Sequence, residues 1–141
     1  MIQLDEALVK QIKQKIAGAK KILLIAHKNP DGDTLGSALA MFWYLQGLAK
    51  DVDICSSNKP GEGLLFLPGT DQIIHEIDDS RYDLVFSFDT ADPKLSGFQD
   101  KHPNIYANKE RHVNIDHHSS NFLFAGINLV VTDAASTTQV L

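Results

Sequence analysis

A single cysteine, Cys55, stands in 141 residues, which excludes an internal disulfide framework and any zinc site built on thiolates. Long apolar runs are missing as well, and none approaches the roughly 20 residues that a bilayer-spanning helix needs. The opening residues are charged and amphipathic, unlike an export signal. A reducing cytoplasm is the expectation these absences leave. Basic charge is also scarce: 13 Lys and Arg stand against 18 Asp and Glu, a net charge of −5 with the histidines neutral. A surface that tracks a long nucleic-acid duplex needs the opposite sign. A small phosphorylated substrate is still compatible, because bound divalent cations reverse the field around clustered carboxylates.

What is present is the material of one globular domain. Hydrophobic residues make up 43% and charged residues 22%, enough apolar content for one core in a chain too short for two. Leu4, Leu8, Ile12 and Ile16 recur every fourth position among polar residues, which predicts a leading amphipathic helix with Asp5 and Glu6 in its first turn and Gly18 at its end. Residues 22–26 and 84–88 are short unbroken apolar runs, the pattern of strands buried on both faces. Further strands are expected at 52–55, 113–115 and 127–131 and a largely apolar helix at 35–48, while 73–77 is short and ambiguous. Strands alternating with helical segments predict an α/β fold, a mainly parallel sheet flanked by helices.

Chemistry-bearing residues gather where three of these strands end. The first end carries His27, Asp31 and Asp33 within His-Lys-Asn-Pro-Asp-Gly-Asp, the second Asp89, and the third Asp116-His117-His118. In an open parallel sheet, ligands collect outside the carboxyl ends of the strands. Asp31 and Asp33 flank Gly32, whose freedom permits a tight turn aiming two carboxylates at neighbouring cations. Mixed His and carboxylate ligands suit Mn²⁺, and after it Fe, Co or Zn, better than Ca²⁺. A central carboxylate such as Asp89 can bridge two ions about 3.5–4 Å apart, the arrangement of two-metal hydrolysis. Each piece alone also has a plain explanation. Asp-Gly-Asp before a helix can be a capped turn, Asp89 can cap a following helix, and adjacent histidines can be surface residues. All three would have to hold together at converging strand ends.

These residues resemble the DHH phosphoesterase superfamily, whose naming motif is Asp116-His117-His118 here. The first motif matches as His27, Asp31 and Asp33, followed by Gly36-Ser37, and the second as Asp89. The leading helix, the 60–68 segment and Asn121 look most like the nanoRNase/pAp-phosphatase subfamily. The resemblance implies a manganese-dependent phosphoesterase acting on short oligoribonucleotides or on 3′-phosphoadenosine 5′-phosphate. It implies that His27, Asp31 and Asp89 hold one Mn²⁺ and that Asp33, Asp89 and His117 hold a second. His118 would contact substrate phosphate, Asp116 would support the site, and a metal-activated water would be the nucleophile. Rival readings are a family II inorganic pyrophosphatase, which His27-Lys28-Asn29-Pro30-Asp31 also suits, a cyclic-dinucleotide phosphodiesterase, a RecJ-type exonuclease, or a non-catalytic metal- or nucleotide-binding module.

Two parts of the family pattern are missing from the sequence. A fourth motif, an Asp after a further helix and strand, is not reached, and Asp133 is a poor substitute because it precedes the helix start at Ser136. The resemblance also implies a C-terminal companion domain with a glycine-rich substrate-binding motif, which these 141 residues do not include. The expectation is therefore a leading helix at 1–20, a motif-bearing core at 22–141 and an incomplete second metal site. Expected partners are a short RNA or phosphorylated nucleotide, with no membrane and no long duplex, and a homodimer left open. His75, His102 and His112 read as surface or satisfied histidines, Trp43 and Tyr44 as core, and Lys109-Glu110-Arg111 as a solvated charge run.

Overall fold

The two unbroken apolar runs become the two central strands of the computed structural model, which describes residues 2–141. They are β1 (Lys21–Ala26) and β4 (Leu84–Phe88). Around them lie β2 (Asp51–Cys55), β3 (Ile73–Ile74), β5 (His112–Asp116) and β6 (Ile127–Val130). Every pairing is parallel, and the sheet order is β3-β2-β1-β4-β5-β6. The helices are α1 (Glu6–Gly18), α2 (Gly32–Gly47), α3 (Pro103–Ala107) and α4 (Thr137–Val140). The α/β architecture expected from the alternation of patterns is the observed one.

Both faces of the sheet are covered, which is why its central strands carry no polar alternation. Ile22, Leu24 and Ala26 of β1 and Leu84, Phe86 and Phe88 of β4 share one core with residues of α1, α2 and α4. Leu23, Ile25 and Val85 face the other way, onto Tyr82, Phe98, Ile105, Tyr106 and Phe124. Each such aliphatic side chain contributes about 1.5–3 kcal/mol by leaving water. The strand order reverses between β1 and β4, so the loops leaving these two strands diverge and open a crevice at their carboxyl ends.

Local details depart from the sequence reading in four places. Asp5 is the N-cap of α1, accepting from the backbone N–H groups of Ala7 and Leu8, rather than a first-turn residue. The second helix starts at Gly32, not at 35, because Asp31 caps it, and Gly32 has no positive φ. The glycine is thus not demanded by a tight turn. Trp43 and Tyr44 are 50% and 52% exposed rather than core. Helix α2 buries Leu35, Ala38, Leu39, Met41, Phe42 and Leu45, and these two positions fall outside that face. Trp43 instead donates its indole N–H to the carbonyl of Pro68 at 2.9 Å.

Arg111 is the fourth departure. It is not part of a solvated run: its guanidinium donates to the carbonyls of Asp79 (3.2 Å) and Tyr82 (2.7 Å), pinning the segment before β4. Beside it His112 is 1% exposed, with Ser87 Oγ 2.9 Å from its Nε2 and no partner on Nδ1. Burial, helped by the charge of Arg111, lowers its pKa from the ordinary 6.5 to about 4. Below the higher value an unfolded chain takes up a proton that the folded chain refuses, so stability falls as pH drops through this window. The expected loss between neutral pH and pH 4 is on the order of 3 kcal/mol. Thermal midpoints from pH 4 to 7 measure it. His112→Phe should flatten that part of the profile, and an unchanged slope would assign the acid sensitivity elsewhere.

Candidate metal centre

The crevice at the sheet's reversal collects all three motifs. His27 directly follows β1, Asp89 directly follows β4, and Asp116 is the last residue of β5. Parallel neighbours in register bring these ends level: Ala26 pairs with Phe88, and Phe88 with Ile115. Every one of the seven residues singled out in the sequence lies here or on the first turn of α2.

Asp89 is the centre of the arrangement. Its carboxylate is buried (6% exposed), and its backbone sits at φ 56°, in the left-handed region that non-glycine residues adopt at a cost. Its N–H donates to the carbonyl of Ile115 at 3.0 Å. It caps no helix; Asp92 caps the short turn at Pro93–Ser96. Its two oxygens face different partners. Oδ2 lies 3.7 Å from Nε2 of His27, and Oδ1 lies 3.5 Å from Nε2 of His117.

The imidazoles are oriented by carbonyl groups. Nδ1 of His27 is 2.8 Å from the carbonyl of Lys28, and Nδ1 of His117 is 3.2 Å from that of Ala134. A carbonyl only accepts, so in each ring Nδ1 carries the proton and Nε2 turns its lone pair inward, as a metal-ligating histidine does. Nε2 of His27 also faces Asp31 Oδ1 at 3.9 Å, and Nε2 of His117 faces Asp33 Oδ2 at 3.6 Å. These gaps are too long for hydrogen bonds. They are close to the roughly 3–3.5 Å separating two ligand atoms on one ion with bonds of about 2.0–2.2 Å.

Asp31 and Asp33 also carry structural duties. Asp31 Oδ1 caps α2, accepting from the N–H groups of Asp33 and Thr34 at 3.0 Å each. Asp33 accepts from Thr137 N–H on Oδ2 (2.8 Å) and from Thr138 N–H and Oγ on Oδ1 (2.9 and 3.0 Å). Burial pushes the Asp33 carboxyl up, but these donors and His117 outweigh it and hold it below the usual range. The capped-turn explanation and the ligand explanation of Asp-Gly-Asp are therefore compatible.

Asp116 lies fully buried beneath the cluster. Oδ1 accepts from the backbone N–H of His117 (2.7 Å) and from Nδ1 of His118 (2.8 Å), and Oδ2 accepts from Asn121 (2.6 Å). The proton on Nδ1 of His118 leaves that atom no lone pair for an ion. Burial pulls the His118 pKa down, yet the hydrogen bond to Asp116 and the charges of Asp116, Asp89 and Asp33 win and raise it. For His27 burial likewise works downward and is outweighed by Asp89, the Lys28 carbonyl and Asp31.

Ligand atoms lying within 4.8 Å of one another form two triads, His27-Asp31-Asp89 and Asp89-His117-His118. Among the described residues no Lys or Arg pairs with Asp31, Asp33, Asp89 or Asp116. A crowded set of carboxylates with only imidazoles for company, two of them presenting lone pairs, fits divalent cations. A cavity of about 260 Å³ opens over His27, Asp31, Asp89 and His118, with Lys28 on its rim.

Residues without catalytic chemistry hold these groups in place, and the motif reading passed over them. Thr34 Oγ donates to the carbonyl of Phe88 (2.9 Å) and accepts from His27 N–H (3.1 Å), tying the first two motifs together. Asn121, noticed only as a family flank, donates to the Thr90 carbonyl (3.1 Å) as well as to Asp116, tying the second motif to the third. Thr137 Oγ donates to Asp89 Oδ1 at 2.8 Å. A polar residue three places after a capping Asp was the only available signal for Thr34.

The fold is similar to that of an exopolyphosphatase-related protein from Bacteroides fragilis, with a TM-score of 0.84 and 24% identity over 97% of this chain. This chain spans 42% of the length of that one. Residues 21–141 match the DHH family, N-terminal domain. With the motif set assembled at the sheet's reversal and that match covering most of its length, the chain belongs to the DHH family.

Proposed function

We propose that this chain is the metal-binding part of a manganese-dependent phosphoesterase that hydrolyses short oligoribonucleotides, 3′-phosphoadenosine 5′-phosphate, or both. The observation that carries this reading is the division of the Asp89 carboxylate, one oxygen toward His27 and the other toward His117. In this reading His27, Asp31 and Asp89 hold one Mn²⁺, and Asp33, Asp89 and His117 contribute to a second. Asp33 is preferred to His118 as third ligand because Nδ1 of His118 is occupied by Asp116. When bound, such a pair of ions activates a water and neutralises charge on the phosphoryl oxygens.

The chain's own groups supply orientation and a proton. Asp116 fixes the His118 ring and favours its charged form, leaving the outer Nε2 to donate to a phosphate oxygen above the cavity. The cavity is small and, among the described residues that line it, Lys28 is the one flexible cation, which supports a single phosphoryl group as the bound feature rather than an extended strand. The grip on the nucleoside is assigned to a companion domain, so residues 1–141 by themselves should turn over weakly or not at all.

A pyrophosphatase reading is favoured by one feature, the His27-Lys28-Asn29-Pro30-Asp31 run that places Lys28 at the rim. The exopolyphosphatase-related description of the structurally similar protein adds polyphosphate to the substrates worth testing. Two measurements check the proposal. First, Mn²⁺ added to the isolated chain should raise its thermal midpoint by several degrees through linkage, and chelation should reverse the rise. Asp89→Ala should abolish the shift; a midpoint indifferent to Mn²⁺ would leave only a non-binding module. Second, in a longer form that includes a companion domain, phosphate or mononucleotide release should be fastest from an oligoribonucleotide or 3′-phosphoadenosine 5′-phosphate. There Asp89→Ala should lower kcat by roughly a thousandfold or more. Preferential release from pyrophosphate would select the rival, and unchanged turnover in the variant would end the hydrolase reading.

A further inference from the structure

Thr137 is fully buried, and it hydrogen-bonds to two of the candidate metal-binding carboxylates. Its hydroxyl donates to Asp89 Oδ1 at 2.8 Å, and its backbone N–H donates to Asp33 Oδ2 at 2.8 Å. These are the same oxygens that face Nε2 of His117, at 3.5 and 3.6 Å. A carboxylate oxygen offers two lone-pair directions. One taken by Thr137 leaves one on each of Oδ1 of Asp89 and Oδ2 of Asp33, both beside His117.

Asp89 needs such a hold. Its backbone is in the left-handed region, and among the described residues no other side chain hydrogen-bonds to its carboxylate. Without the hydroxyl, rotation about its last side-chain bond is free to turn both oxygens away from the histidines. Asp33, by contrast, keeps its N–H and hydroxyl donors from Thr138 whatever stands at 137.

We propose that Thr137 is a positioning residue of this metal centre: its hydroxyl fixes the plane of the Asp89 carboxylate so that one oxygen faces His27 and the other His117, and its N–H aligns Asp33 with the same gap. This rests on the reading of the cluster as a metal site given above. It also gives the turn that begins α4 a task at the centre, although no residue of α4 carries an imidazole or carboxylate.

The test is Mn²⁺ binding to the chain, followed by calorimetry and by the electron paramagnetic resonance of the bound ion, with metal-free thermal midpoints recorded alongside. Thr137→Val keeps the shape and the N–H but removes the hydroxyl, and should weaken binding about tenfold or more while broadening the bound-ion spectrum. Thr137→Ser restores the donor and should bind within about threefold of the parent. If the valine variant does not fold, Thr137→Cys, whose thiol is a weak donor, takes its place with the same expected loss. Equal affinity in parent and valine variant overturns the positioning role and leaves the metal site standing. A serine variant as weak as the valine one also overturns it, since the methyl would then be what matters. A parent that binds no Mn²⁺ overturns the site reading and this inference with it.

Discussion

A buried carboxylate that must not be left alone organises this molecule. Asp89 sits at the end of a central strand, 6% exposed, with other carboxylates nearby and no Lys or Arg paired with it among the described residues. Placing an ionised carboxylate there costs several kcal/mol unless positive charge or hydrogen-bond donors meet it. The chain provides one hydroxyl and the edges of three imidazoles. A cluster of His and Asp with so few other partners is consistent with divalent-cation binding. The strained backbone at the same residue belongs with this: strain of that kind is kept where the surroundings determine the geometry for a purpose.

The parallel sheet makes the arrangement possible. Strands β1, β4 and β5 are adjacent and in register, so three short segments far apart in the sequence deliver their polar residues at one level. Threonine and asparagine side chains then lock the segments to each other, Thr34 across the first pair and Asn121 across the second. Helix α2 does two things with one residue. Asp31 caps its exposed N–H groups and holds a carboxylate at the mouth of the crevice, so capping energy of about 1 kcal/mol also fixes a member of the cluster.

Much of this was legible in the residues. Unbroken apolar runs at 22–26 and 84–88 reported strands covered on both faces, and the carboxylates and imidazoles picked out after the strand ends do gather in one crevice. What stayed hidden depends on distant partners. Trp43 and Tyr44 look like core because α2 is apolar nearly all round, and only the packed helix shows which face meets the sheet. Arg111 reads as a surface charge until the carbonyls of Asp79 and Tyr82 are seen to receive it. Thr137 is invisible for the same reason: its partners, Asp33 and Asp89, lie 104 and 48 residues away, and nothing in a small polar stretch announces them.

The central claim, that Asp89 presents one oxygen to each of two cation positions, is most directly tested by anomalous diffraction at the manganese edge from crystals grown with Mn²⁺. Density bonded to Oδ2 on the His27 side, with any second ion on Oδ1 beside His117, is the predicted outcome. Manganese bound only elsewhere, with the Asp89 carboxylate free of metal, would contradict it.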